Sequence, residues 1–184
     1  MAEQQQPQLR VALRPVVRAD RREFLEMTRA SESLHDPWIS PPRTPVAFDH
    51  YLARLSREDH DGQLICLRST GLIVGVININ NIVRGSFLSA TLGYYAAAGH
   101  GGRGYMLEGL EQVKRYAFTT LGLHRLEANI QPDNTRSIQL ARRAGFVFEG
   151  VSPAYLYING AWRDHERWTC LDPRHSLLPE RSRR

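Results

Sequence analysis

Gly99-His100-Gly101-Gly102-Arg103-Gly104, running directly into Tyr105-Met106-Leu107-Glu108-Gly109-Leu110, is the stretch on which the reading of this chain turns. The glycines let the backbone bend sharply. Immediately after them Met106, Leu110, Val113 and Ala117 recur at helical spacing, so a helix is expected over 105–121. Before them, 89–96 reads as a strand. A glycine turn between a strand and a helix start presents unpaired N–H groups and the positive end of the helix dipole, and so outlines a phosphate cradle. Glycine patterns of this kind also occur in dinucleotide-binding folds and in loops that hold nothing. The neighbouring elements separate these readings.

Toward the N-terminus the sequence predicts a strand over 9–15 and a helix over 20–33, with Phe24, Leu25 and Met27 on one face. Pro37, Pro41, Pro42 and Pro45 make 35–45 an irregular loop, followed by a helix over 46–57. Strands over 63–68 and 72–80, joined at Ser69-Thr70-Gly71, form a hairpin. Hairpins where a dinucleotide fold needs βαβ units, with no acidic residue ending a second parallel strand, argue against that fold. Toward the C-terminus, Leu126, Ala128 and Ile130 alternate with Arg125, Glu127 and Asn129, the mark of a strand over 124–131. Asn134 caps a helix over 135–144 that stops at Gly145. Strands over 146–149, 155–158 and 162–170 follow, the last two joined by Asn159-Gly160. The fold class is α+β, a mixed, largely antiparallel twisted sheet with helices on both faces.

With 184 residues and 42% hydrophobic content, the chain fits one domain with a real core. The expected bounds are a flexible N-terminus over 1–8, the domain over 9–172, and a basic, disordered tail over 173–184. Apolar runs are too short to span a membrane and the start lacks signal-peptide features, so a cytoplasmic protein without membrane attachment is expected. Cys66 and Cys170 show no metal-ligand spacing and read as reduced packing residues, and no metal is expected. The net charge of +5 favours an anionic partner: nucleic acid, a ribosomal surface or a phosphorylated cofactor.

Gly104-Tyr105, Leu123-His124-Arg125-Leu126, Asn134-Thr135-Arg136-Ser137 and Ala144-Gly145-Phe146 together resemble the GCN5-related N-acetyltransferase superfamily over about 72–168. Residues 81–87, Leu92-Gly93-Tyr94 and 160–165 are similar to its RimJ branch, which acetylates protein N-terminal amines. The resemblance implies acetyl-CoA as co-substrate, held in a V-shaped split between the strand ending near Tyr94-Tyr95 and the strand beginning near His124. It places the pyrophosphate on Gly99, His100, Gly101, Gly102, Arg103, Gly104 and Tyr105, with Tyr94, Tyr95 and Ala96 along the pantetheine arm. A freed N–H near Tyr95 or Ala96 would bind the thioester carbonyl, Asn134 would hydrogen-bond the arm, and Ser137 would return a proton to the departing thiolate. Two positions depart from the superfamily motif: Gly101 replaces a polar residue and Met106 a small one. The place of the carboxylate base used by RimL-type relatives, near Leu156, holds none, which leaves a water chain for that step.

Each of these residues also has a plainer role. Asn134 is a good helix cap and Ser137 an ordinary first-turn residue; His124 and His165 suit structural hydrogen bonds, and Asp164 either orients His165 or caps a turn. Trp38, Asn81, Arg84 and Tyr155 are expected to contact the acceptor, with a surface ion pair the alternative for Arg84 and core packing for the aromatics. Three functions follow: acetylation of a protein N-terminus, most naturally a ribosomal one; acetylation of a small amine such as an antibiotic or polyamine; or a non-catalytic module that binds ribosome or RNA while CoA stabilises it. The enzyme is expected to be a monomer or homodimer.

Overall fold

The computed structural model describes residues 9–175, so the expectations for 1–8 and 176–184 lie outside the described residues. Seven strands form one sheet in the order β1-β2-β3-β4-β5-β7-β6. They are β1 (Val11–Pro15), β2 (His60–Leu67), β3 (Ile73–Val83), β4 (Ser89–Ala96), β5 (Arg125–Ile130), β6 (Val147–Ile158) and β7 (Ala161–Leu171). Neighbours run antiparallel except β4 and β5, whose parallel register extends only from Ser89↔Arg125 to Leu92↔Ala128. Both strands continue past that last pair and part company.

Alternation in the strands builds two cores. On one face Ile77, Leu92, Leu126, Ala128 and Ile130 pack against α4 (Tyr105–Thr119) and α5 (Thr135–Arg143). On the other, Leu64, Val76 and Tyr95 pack against α1 (Arg21–Ala30) and α3 (Pro45–Leu55), with the short α2 (Glu32–His35) between these helices in sequence. Phe24 is the centre of this second core, with ring centroids 5.0 Å from Phe48 and 5.5 Å from Tyr51.

The helix expected over 20–33 breaks at Ser31, whose hydroxyl donates back to the Met27 carbonyl (2.7 Å) and accepts from the Ala98 amide (2.8 Å). The two strands expected over 146–149 and 155–158 are one strand, β6, interrupted by register shifts after Phe148 and after Ser152. Glycine and proline at Gly150 and Pro153 read as breaks, whereas β7 carries the pairing across them as bulges. The tail expected from 173 begins with a further turn, Pro173–His175, pinned by Arg174 on Asp172.

Candidate active site

The glycine segment leaves β4 and enters α4 as a left-handed turn. Gly99, Gly102 and Gly104 have φ of 78°, 72° and 81°, a region other residues enter at a cost. A Cβ added at Gly99, Gly101 or Gly102 would meet nothing within 4 Å, so the loop is an open concavity lined by backbone. Gly104 is the N-cap of the fifteen-residue α4 and supplies no side-chain acceptor, which leaves the first amides of the helix for a ligand. Arg10 fixes this helix start. Its backbone N–H and Nε donate to the two oxygens of Glu108 (2.5 and 3.1 Å), its Nη1 donates to the Arg103 carbonyl (3.0 Å), and its guanidinium lies over the Tyr105 ring (5.1 Å). Glu108 is thereby neutralised beside the positive helix end.

The departure at Met106 has a partner that the motif comparison missed. An added Cβ at Gly75 on β3 would lie 2.4 Å from the Met106 sulfur, so the absent side chain there makes room for the long one on α4. Helix and sheet approach closely again at Gly109, where a Cβ would come within 2.5 Å of Ile65.

Beyond Leu92↔Ala128 the strands splay, and the alternation in β4 decides which groups the opening exposes. The Ala97 amide donates to the Val74 carbonyl (2.9 Å), so odd-numbered residues of β4 face β3. The Leu88 carbonyl accepts from the His124 and Arg125 amides, so even-numbered residues face β5. The amides of Tyr94 and Ala96 therefore project into the split, while that of Tyr95 is turned to β3 through the Val76↔Tyr95 pair. Of the two expected carbonyl-binding amides, that of Ala96 points into the split and that of Tyr95 points away from it. His124 sits at the closed end of the seam, bonded to Leu88, and the opening lies at the other end of both strands.

Asn134 and Ser137 reach the split from α5. The Asn134 side-chain oxygen accepts from the Ser137 amide (3.2 Å), so it caps the helix with its oxygen and keeps its NH₂ for another partner. The Ser137 hydroxyl donates to the Tyr94 hydroxyl at 2.9 Å, and the Tyr94 hydroxyl in turn donates to the Ser137 carbonyl at 3.4 Å. Burial pushes the Tyr94 phenol up to about 12, against the smaller opposing pull of its bond to Ser137. At neutral pH this pair therefore holds its protons.

A cavity of about 800 Å³ joins these parts: Tyr94, Tyr95, Ala96, most of the glycine turn, Asn134 and Ser137 all line it, as does Trp38 from the loop after α2. Gly99 and Arg103 belong to the turn without lining the cavity. Three of the four expected acceptor contacts lie elsewhere. Arg84 donates to the Leu121 carbonyl at the far end of α4, Asn81 sits in the bulge of β3 near Thr91, and Tyr155 packs on His165 with ring centroids 6.0 Å apart. Asn81 and Tyr155 lie within the register shifts of β3 and β6, and Arg84 follows the end of β3. Asp164 accepts from the Ala154 amide (2.7 Å) and so caps the β6 bulge; His165 instead bonds the Arg163 carbonyl (3.0 Å). Missed by the sequence reading were His35, Asp36, Arg136 and Arg143, which also line the cavity. Arg136 stood inside the Asn134–Ser137 motif without being given a role, and no helical period or motif distinguished the other three.

Among the described residues, no cluster of His, Cys, Asp and Glu suits a metal ion, and no helix is long and apolar enough to cross a membrane.

Residues 10–147 match the family described as Acetyltransferase (GNAT) domain. The chain is 46% identical over 93 residues to the [Ribosomal protein uS5]-alanine N-acetyltransferase of Escherichia coli (strain K12), a match spanning 50% of this chain and 48% of that one. It is 25% identical over 171 residues, 90% of this chain and 95% of the other, to the spermidine N(1)-acetyltransferase of Vibrio cholerae. Among solved structures, Mycobacterium smegmatis RimJ in complex with CoA-disulfide superposes with a TM-score of 0.81 at 28% identity, covering 92% of this chain and 84% of that one. The parted seam, the glycine cradle and these likenesses agree: the chain belongs to the GNAT acetyltransferase domain family and is an N-acetyltransferase enzyme.

Proposed function

We propose that the enzyme, folded as one catalytic domain over 9–172, transfers an acetyl group from acetyl-CoA to the N-terminal α-amine of a protein, a ribosomal protein in the first instance. The observation that carries the cofactor half is the parted β4–β5 seam with the Tyr94 and Ala96 amides aimed into it, continuous with an open glycine cradle at a helix start. These groups fit acetyl-CoA. The amides on residues 101–106 would hold the pyrophosphate, and the Asn134 NH₂ would bond the pantetheine amide. Bound there, acetyl-CoA supplies a thioester carbonyl and a thiolate leaving group. The Ala96 amide polarises that carbonyl, and the paired hydroxyls of Ser137 and Tyr94 protonate the sulfur as it leaves.

The peptide acceptor is supported by the likeness to the uS5-alanine enzyme and by how the carboxylates are used. A polyamine carries several ammonium groups and calls for several free carboxylates. On α1–α3, Glu26 pairs with Arg22, Glu32 with Arg43 and Asp49 with Arg18 and Arg21, while Glu23 accepts the Ile73 amide. On the sheet, Glu127 is held by Arg125 (2.7 Å) and Arg167 (3.3 Å). Asp36 and Asp133 are the carboxylates left lining the cavity, enough for a single ammonium. The basic surface suits a cytoplasmic enzyme that meets its substrate on or near the ribosome.

The experiment is thiol release from acetyl-CoA with peptides copying ribosomal-protein N-termini, alongside spermidine and aminoglycosides. Peptide-dependent release is expected; release with the small amines alone would overturn the acceptor assignment. In the same assay Ser137→Ala should lower kcat by about tenfold, because Tyr94 remains as an acid, and Ser137→Ala with Tyr94→Phe by about 10²-fold. CoA affinity should change far less; an unaltered kcat in the double variant removes the pair from the mechanism. Asn134→Ala should cost about 1 kcal/mol of stability through the lost cap. It should also weaken CoA binding by calorimetry, and equal affinity in the folded variant would leave Asn134 as a cap only.

A further inference from the structure

Besides the Tyr95 phenol oxygen and His100 Nδ1, two buried atoms beside the parted seam lack a hydrogen-bond partner. One is His35 Nδ1 and the other Asn129 Oδ1. His35 ends α2, is 2% exposed, and lines the cavity; its Nε2 lies 2.8 Å from the Ala96 carbonyl oxygen. A carbonyl can only accept, so Nε2 carries the hydrogen and Nδ1 is a bare lone pair. The Ala96 carbonyl belongs to the even-numbered set that faces β5, which seats the imidazole against the opening itself. Asn129 comes from the opposite strand. Leu126, Ala128 and Ile130 pack toward α4 and α5, so Asn129 faces the side of α1–α3, one residue beyond the last β4–β5 pair. Gln131, next on that face, donates to the Trp38 carbonyl (3.3 Å) and ties the end of β5 to the loop that follows His35.

Buried acceptors without donors are costly and rare in folded proteins, and two at one seam need an explanation. An ammonium group supplies the missing donors. Of the titratable groups on this face, Glu127 is committed to two arginines and His165 to a backbone carbonyl, whereas Asp36, Asp133 and His100 line the cavity without being so held.

We propose that His35 is the general base, its Nδ1 taking the proton of the acceptor ammonium while Asn129 Oδ1 accepts a second N–H and orients the amine over the seam. The proposal rests on acetyl transfer to an amine and is indifferent to which amine. The proton leaves the acceptor nitrogen for Nδ1, and the freed electron pair forms the C–N bond to the acetyl carbon. The C–S electrons depart on sulfur, which is protonated from Ser137 and Tyr94; the second proton that the nitrogen sheds as the amide forms passes through water to restore that pair, and the imidazolium returns its own proton to water after product leaves. Burial holds the His35 ring below the usual histidine range, its bond to Ala96 works against this, and Arg43 adds to it. The groups facing the ring are Arg43, before α3 and paired with Glu32 on the helix His35 ends, and the Tyr95 phenol from β4, 5.2 Å between ring centroids. Neither carries negative charge at neutral pH, so the ring is neutral there and competent as a base.

The test uses whichever amine the wild-type enzyme acetylates, so failure of the peptide assignment does not touch it. His35→Gln should lower kcat by about 10²-fold with CoA affinity retained. The wild-type kcat/KM profile should lose activity on its acid side, with a midpoint below that of a free histidine because burial lowers the ring, and that limb should vanish in His35→Gln. Asn129→Leu should raise KM for the amine and keep the limb. A folded His35→Gln with the limb unchanged, or with a rate loss under about threefold, makes the ring a scaffold and overturns the proposal. Imidazole ¹⁵N spectra of the CoA-bound wild type provide a reading that needs no variant. The His35 Nδ1 resonance should be that of an unprotonated nitrogen and should move when spermidine or peptide is added; a protonated Nδ1 overturns the assignment.

Discussion

Gly104→Val should weaken CoA binding by about 10²-fold while leaving α4 helical, as read by titration calorimetry and circular dichroism. At φ of 81° the new side chain must hold a left-handed conformation, which costs a β-branched residue about 1–2 kcal/mol. Its Cβ also falls 3.1 Å from Arg10 Nη2. The exposed Arg10 side chain must shift by a few tenths of an ångström to make room, which disturbs its hold on the Arg103 carbonyl. Strain and lost amide alignment together are expected to approach the roughly 2.7 kcal/mol that a hundredfold change in affinity represents. An affinity within about threefold of wild type would mean that the turn does not hold the pyrophosphate.

Phe24→Ala should lower the unfolding free energy by about 3–5 kcal/mol in urea titrations, the largest single-site loss expected in this molecule. Phe24 is fully buried, and its ring meets Phe48, Tyr51 and, edge-on at 6.4 Å, Tyr95. A domain of this size has about 5–15 kcal/mol in total, so the variant should be marginal at physiological temperature. The loss should also reach the active site unevenly. Tyr95 is packed between Phe24 and His35, so the acceptor side loosens, whereas the glycine cradle is supported by α4 and β1 on the opposite face. CoA affinity measured below the transition should stay near wild type while KM for the amine rises. A loss under about 1 kcal/mol would show that this core closes over the gap.

The cofactor side was legible in the sequence because its signals are local. Glycines at fixed offsets before a helical pattern, and Asn134 three residues ahead of Ser137, are short-range instructions that the chain obeys. The acceptor side was not, because it is made of long-range agreements. His35 gains its meaning from Ala96, sixty-one positions away, and Asn129 from where β4 stops pairing. Arg84 and Tyr155 lie away from the cavity for a related reason: a polar group after a strand or an aromatic on one does not say in sequence which surface it meets. Alternation along β4 could have separated Ala96 from Tyr95 in advance, had the neighbour of each edge been known. Sequence shows that faces alternate without saying which face meets what.

The parallel seam joins β5 to β4 over four residue pairs, whereas six pairs, from Arg125↔Leu171 to Ile130↔Glu166, join it to β7. β5 is thus secured chiefly from its far side, by a strand that leaves the ribosome some forty residues later. Until β7 docks, one wall of the catalytic opening has little to hold it upright. An enzyme built this way is expected to gain full activity only once its β7 strand has been made and docked.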